Sequence, residues 1–228
     1  MPCYGSMSSI RVYLENGSKR SFACALDWPG WCRSGKGEEQ ALAALGAAGP
    51  RYARVAEEAG LRFPAAAARG DAAFDVTERL PGSATTDFGA PDAQAAGDST
   101  PLSGEEVQRL SVLLAASWTV LDRVVASAPA ELRKGPRGGG RDRDAIVAHV
   151  LGAEAAYARK LGLRLPEPDR EDRAAVKAFR QAILDGLRVG PDANAEGGKR
   201  WPVPYAVRRL AWHVLDHAWE IEDRSRPA

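Results

Sequence analysis

The chain of 228 residues contains three histidines. Two of them, His213 and His217, stand four positions apart in the apolar run AWHVLDHAWE. Residues at that spacing share one face of an α-helix, with Cβ atoms about 5–6 Å apart, so both imidazoles can reach one metal ion at about 2.0–2.1 Å. Ala206, Leu210, His213, His217 and Glu220 fall on a single stripe bordered by Val214 and Ile221, which must point inward for the helix to bury anything. The third histidine, His149, lies in AIVAHVLGAE. Ala145, Ala153 and Ala156 flank it at one-turn spacing and Gly152 stands beside it, leaving volume where a core helix would carry Leu or Ile. Ordinary part-buried histidines are the plain alternative. That alternative weakens when every histidine of the chain falls on an inward-facing position.

The elements that must position these residues come next. Lys and Arg number 31 against 30 Asp and Glu, so no overall field draws the chain to nucleic acid or to an anionic membrane. The apolar fraction of 45% supplies a core. No run approaches the roughly 20 consecutive apolar residues of a membrane span, and the first residues lack the order of a signal peptide, which leads to a cytoplasmic expectation. Cys3, Cys24 and Cys32 have no zinc-ligand spacing and are read as reduced thiols.

IRVYLE and KRSFACAL flank Asn16-Gly17, a strong hairpin signal, because both residues tolerate the positive φ of a tight turn. EEQALAALGAAGPRYARVAEEAG reads as a helix, a break at Gly49-Pro50 and a second short helix. Phe74 to Leu80 reads as a further strand. Residues 81–100 are small and polar with scattered Pro and Gly, and are expected to form a linker. Four helical patterns follow. The first carries Leu110, Leu113, Leu114, Leu121, Val124 and Val125 at helical spacing. The second starts at the cap residue Asp142, and the third opens near Asp169 and closes at Gly190-Pro191. The fourth runs YAVRRLAWHVLDHAWEIEDRS. Four helices in about 125 residues suit a four-helix bundle. The fold class expected is α+β, with an N-terminal α/β domain over 1–80, the linker, and an all-α bundle over 101–228.

The pattern His149-Val150, Leu151-Gly152 and Glu154, together with WHVLDHAWE, resembles the DinB superfamily, which includes mycothiol- and bacillithiol-dependent enzymes. The resemblance covers residues 101–228. It implies a bundle that brings its second helix beside its fourth, and a divalent metal held by one histidine of the former and two of the latter: His149, His213 and His217. Three neutral imidazoles leave coordination positions open, the arrangement of a catalytic rather than a closed structural site. Zinc, nickel and iron all accept such ligands. The family further implies a thiol-dependent transferase or isomerase that uses a low-molecular-weight thiol on a small-molecule substrate. Glu154 and Asp216 are candidates to accept an imidazole N–H. Arg208, Arg209, Lys199 and Arg200 are candidates to meet an anionic group of a cofactor or substrate. Tyr157, Trp201, Tyr205, Trp212 and Trp219 are candidates to wall a pocket.

FACALDWPGWCRSGKGEEQALAAL is similar to the HicB-like domain through Asp27, Pro29, Gly30, Gly35, Glu38 and Glu39. Nothing reads as a helix-turn-helix or a basic ribbon, so an antitoxin's operator binding is not expected and no nucleic-acid partner is assigned. The domain is expected to be an accessory module that dimerises or covers the bundle mouth, which leaves a homodimer open. A metal-stapled, non-catalytic binding or stress-response protein is the competing functional reading.

Overall fold

Strand β1 (Ile10–Asn16) alternates with β2 (Ser21–Ala25) across a hairpin in which Asn16 pairs with Ser21 and the Gly17 N–H donates to the Arg20 carbonyl at 3.0 Å. The hairpin forms where Asn16-Gly17 predicts it, but neither residue has a positive φ. The loop spans residues 17–20, longer than the two-residue turn that positive φ would serve. A Cβ at 17 would stand 2.3 Å from Asp87 Oδ1, which would have to swing aside, and 3.1 Å from the Arg20 carbonyl oxygen.

In this computed structural model, which describes residues 9–134, 139–189 and 200–225, the chain divides into two compact units, Met1–Ala96 and Gly97–Ala228. The fold class is α+β. Cys3, Lys199 and Gly190-Pro191 lie outside the described residues.

In the first unit β3 (Cys32–Gly35) and β4 (Phe74–Pro81) complete a mixed sheet of order β3-β2-β1-β4, with β4 parallel to β1 and the other pairs antiparallel. Helices α1 (Glu38–Ala47) and α2 (Gly49–Glu58) meet at the expected break, with Pro50 in the first turn of α2, where its missing N–H costs nothing. Helix α3 (Ala65–Ala68) precedes β4. Trp31 and Tyr52 stack at 5.7 Å in the core, where the Trp31 indole donates to the Leu45 carbonyl and the Tyr52 hydroxyl to that of Pro29. Cys24 and Cys32 face each other in register on β2 and β3 as free, buried thiols, and burial pushes the Cys32 thiol up, which leaves it protonated and unreactive.

Residues 81–100 are folded rather than a bare linker. Helix α4 (Ala84–Phe88) begins at a capping box on Ser83, and residues 96–99 form a turn of 3₁₀ helix. The anchor is polar. Glu15, fully buried in β1, accepts hydrogen bonds from the Thr86 hydroxyl and from the backbone N–H groups of Asp92 and Ala93. Composition poor in large apolar groups pointed to a linker because it counts apolar burial, and this stretch is held by a buried carboxylate instead.

The second unit contains four long helices: α5 (Gly104–Ser127), α6 (Arg143–Lys160), α7 (Arg173–Val189) and α8 (Val203–Ser225). Helix α5 starts at a Ser103/Glu106 capping box. Asp142 occupies the cap position of α6, but its carboxylate accepts from Leu132 N–H and Lys134 instead of the helix. Of the acids at the expected start of α7, Asp172 accepts from its first N–H groups. Leu114, Trp118, Leu121, Ile146, Val150, Ile183, Leu187, Leu210, Val214 and Ile221 share one apolar core, in which α8 meets α5 and α6, and α5 meets α7. Among the described residues α5 is the one helix long and apolar enough to cross a membrane by length and composition, and its apolar side chains contribute to this core.

Candidate metal centre

His213 and His217 occupy successive turns of α8, and His149 of α6 lies against both. The ring centroids stand 4.6 Å apart for His213 and His217, and 5.0 Å from His149 to each. One ligating nitrogen of each ring lies within 4.8 Å of the others, and the three residues form the one such cluster among the described residues. His149 Nε2 and His213 Nε2 are 3.2 Å apart. Two nitrogens bound to one tetrahedral ion at about 2.0–2.1 Å stand about 3.3–3.4 Å from each other. That pair therefore has the spacing of ligands to a common ion, and the cluster can hold a metal.

Protonation favours the same use. Burial, then the neighbouring His217, His149 and Arg209, pushes the His213 pKa from the ordinary 6.5 down to about 2. Burial also lowers that of His149. Both imidazoles are neutral at pH 7 and present lone pairs without first losing a proton. At His217 the ring is oriented by a carboxylate: Nδ1–H donates to Glu220 Oε2 at 2.9 Å, which turns Nε2 toward the other two rings as the nitrogen available to a metal. This hydrogen bond, followed by the one from Arg224 (Nη1 to Oε1, 2.6 Å), holds the Glu220 carboxyl below the usual range. Arg224 is fixed in turn by donating from Nε to the Arg133 carbonyl at 2.8 Å.

Glu220 thus takes the orienting role assigned to Glu154 and Asp216. It lies on the same sequence stripe as the two histidines, and its i,i+3 relation to His217 was the signal that could have found it. Glu154 points into the core, 1% exposed, where Oε1 accepts from the Trp118 indole at 2.7 Å and Oε2 stands 3.5 Å from Arg180 Nε. Burial pushes its carboxyl up, opposed by Arg180 and Trp118. Asp216 is half-buried and stands one turn after His213, between the two histidines of α8. Replacing Glu220 with glutamine is expected to weaken metal affinity about 10- to 100-fold, because an amide can pair with either imidazole tautomer. Competition against a chromophoric chelator measures it.

The adjacent arginines of α8, Arg208 and Arg209, differ in their surroundings. Arg208 is buried in an ion pair with Asp98, its Nη2 2.6 Å from Asp98 Oδ1, so this guanidinium is held in the fold rather than offered to a cofactor. Arg209, one turn before His213, lies between the rings of Tyr157 and Trp212, at 5.3 and 5.1 Å from their centroids. Tyr157 and Trp212 stand 5.8 and 6.1 Å from the His213 ring, and Trp201 packs on Tyr157 at 5.1 Å. Tyr157 and Trp212 thus border His213, Trp201 packs on Tyr157 and on Tyr205 (4.9 Å), and Trp212, Tyr205 and Trp219 are all buried. On α6 His149, Gly152, Ala153, Ala156 and Tyr157 are all half-buried, and the Glu167 carboxylate lies over Gly152.

The chain matches no family model, no curated protein and no solved structure.

Proposed function

We propose that α5 to α8 form a DinB-like metal-binding four-helix bundle. We further propose that the protein is a divalent-metal-dependent, thiol-dependent S-transferase or isomerase acting on a small electrophile. The observation that carries this reading is the convergence of His149, His213 and His217, two of them on one helix and the third on its neighbour, with no fourth ligand in the cluster among the described residues. The donor set fits zinc, nickel or iron(II), all of which accept neutral imidazole. A metal bound with open positions supplies a Lewis acid that lowers a thiol's pKa and so favours the thiolate at neutral pH.

The chain's own groups do the rest. Burial keeps His213 and His149 unprotonated, and Glu220 fixes the His217 ring, so the chain presents its ligands in place. The N-terminal unit enters as an accessory module, a reading supported by the strands that lead through Asp27, Pro29 and Gly30 to α1.

The test uses protein purified without a metal-binding affinity tag and incubated with mycothiol or bacillithiol and 1-chloro-2,4-dinitrobenzene. The sulfur forms the new C–S bond, its proton passes to solvent, and chloride leaves with the bonding pair. Thioether formation above the uncatalysed rate, dependent on metal and lost in His213→Ala, is the expected result. A wild-type protein that neither carries nor takes up zinc, nickel or iron overturns the reading.

A further inference from the structure

We infer that Arg209 is the receptor for a carboxylate on the small molecule that occupies the histidine centre. The inference rests on that centre being a ligand site and adds the class of ligand. Arg209 is 93% buried (7% exposed), yet among the described residues its Nε and Nη1 have no hydrogen-bond acceptor, and its one polar contact is from Nη2 to the Tyr157 hydroxyl at 3.3 Å. Its neighbour shows the contrast. Arg208 is equally buried and finds Asp98.

A buried guanidinium without a counter-charge destabilises a fold. The stacking of Arg209 between Tyr157 and Trp212 offsets only part of this, because a ring face accepts no N–H in-plane and carries no net charge. A missing anion accounts for the arrangement. The position also fits: Arg209 precedes His213 by one turn, about 6 Å along α8, and touches Tyr157, whose ring is against His213. A molecule that presents one atom to the three imidazoles can place an anionic group on Arg209 from the same side. The flat guanidinium, held between two rings, suits a planar carboxylate.

The test is calorimetric titration of the full-length protein with succinate, with its neutral counterpart succinamide and with inorganic phosphate. Each titration is run on zinc-loaded protein and on protein stripped of metal and dialysed. Succinate is expected to bind and succinamide is not. Arg209→Met should weaken succinate binding about 10- to 100-fold, and Arg209→Lys should retain part of it. The Tm of Arg209→Met should equal or exceed that of the wild type, because an uncompensated charge has been removed, so lost binding cannot be ascribed to lost folding. Equal succinate binding by wild type and Arg209→Met overturns the inference, as does phosphate binding tighter than succinate. If zinc loads normally and succinate does not bind, the inference fails while the metal reading stands. Arg209-dependent succinate binding in protein that never retains metal supports the inference and sinks that reading.

Discussion

Alanine at His213 or at His217 is expected to reduce bound divalent metal from near one per chain to background, as read by elemental mass spectrometry on protein purified without a metal-binding tag. Each substitution removes one of three ligands, so the affinity loss should exceed the roughly 10- to 100-fold expected at Glu220, which only orients a ligand. The His213 variant also has a signature independent of metal. In metal-free protein the unfolded chain takes up a proton at His213 below its ordinary pKa of 6.5, while the folded state resists until about pH 2. The unfolded state therefore binds more protons across that window, and stability is lost as pH falls through it, by up to about 1.4 kcal/mol per pH unit. His149, lowered in the same direction, adds to the slope. Thermal melts of the stripped protein at pH 7.5 and pH 5 should show a larger drop for the wild type than for His213→Ala. Equal drops would mean that this imidazole is not held neutral by the fold.

The histidines could be read from sequence because their chemistry and the helical period coincide: two at i and i+4 on a stripe with Leu210 declare both a face and a purpose. The third needed a partner helix, and only the packing of α6 on α8 shows that His149 reaches them. Local signals placed the hairpin at Asn16, the break at Gly49-Pro50 and the four long helices, since each rests on residues close in sequence. What remained hidden depends on long-range polar contacts. The parallel pairing of β1 with β4 joins residues more than 60 positions apart. The burial of Glu15 that orders residues 84–93 is likewise set by tertiary structure, and a carboxylate in a strand carries no mark of it. Arg208 and Arg209 are adjacent and alike in sequence, so no local rule could tell which one has a counter-charge; Asp98, 110 positions before Arg208, decides it.

That pair should be the most sensitive point for stability away from the histidines. Both side chains are buried, 8% exposed for Arg208 and 3% for Asp98, so Asp98→Ala removes a carboxylate in direct contact with a guanidinium in the interior. Removing one member of a buried pair typically costs about 3–5 kcal/mol, which for a chain of this size corresponds to a fall in Tm of about 6–20 °C. The same reasoning makes the double variant Asp98→Leu with Arg208→Met recover most of the loss, because apolar side chains of similar volume remove both desolvation penalties together. If the double variant is as unstable as Asp98→Ala, the pair contributes by holding the 96–99 turn against α8 through geometry that apolar groups do not reproduce. Metal content should separate this effect from the first prediction. Arg208 lies five residues before His213 and about 140° away around α8, so folded Asp98→Ala protein should retain its metal while melting at a lower temperature.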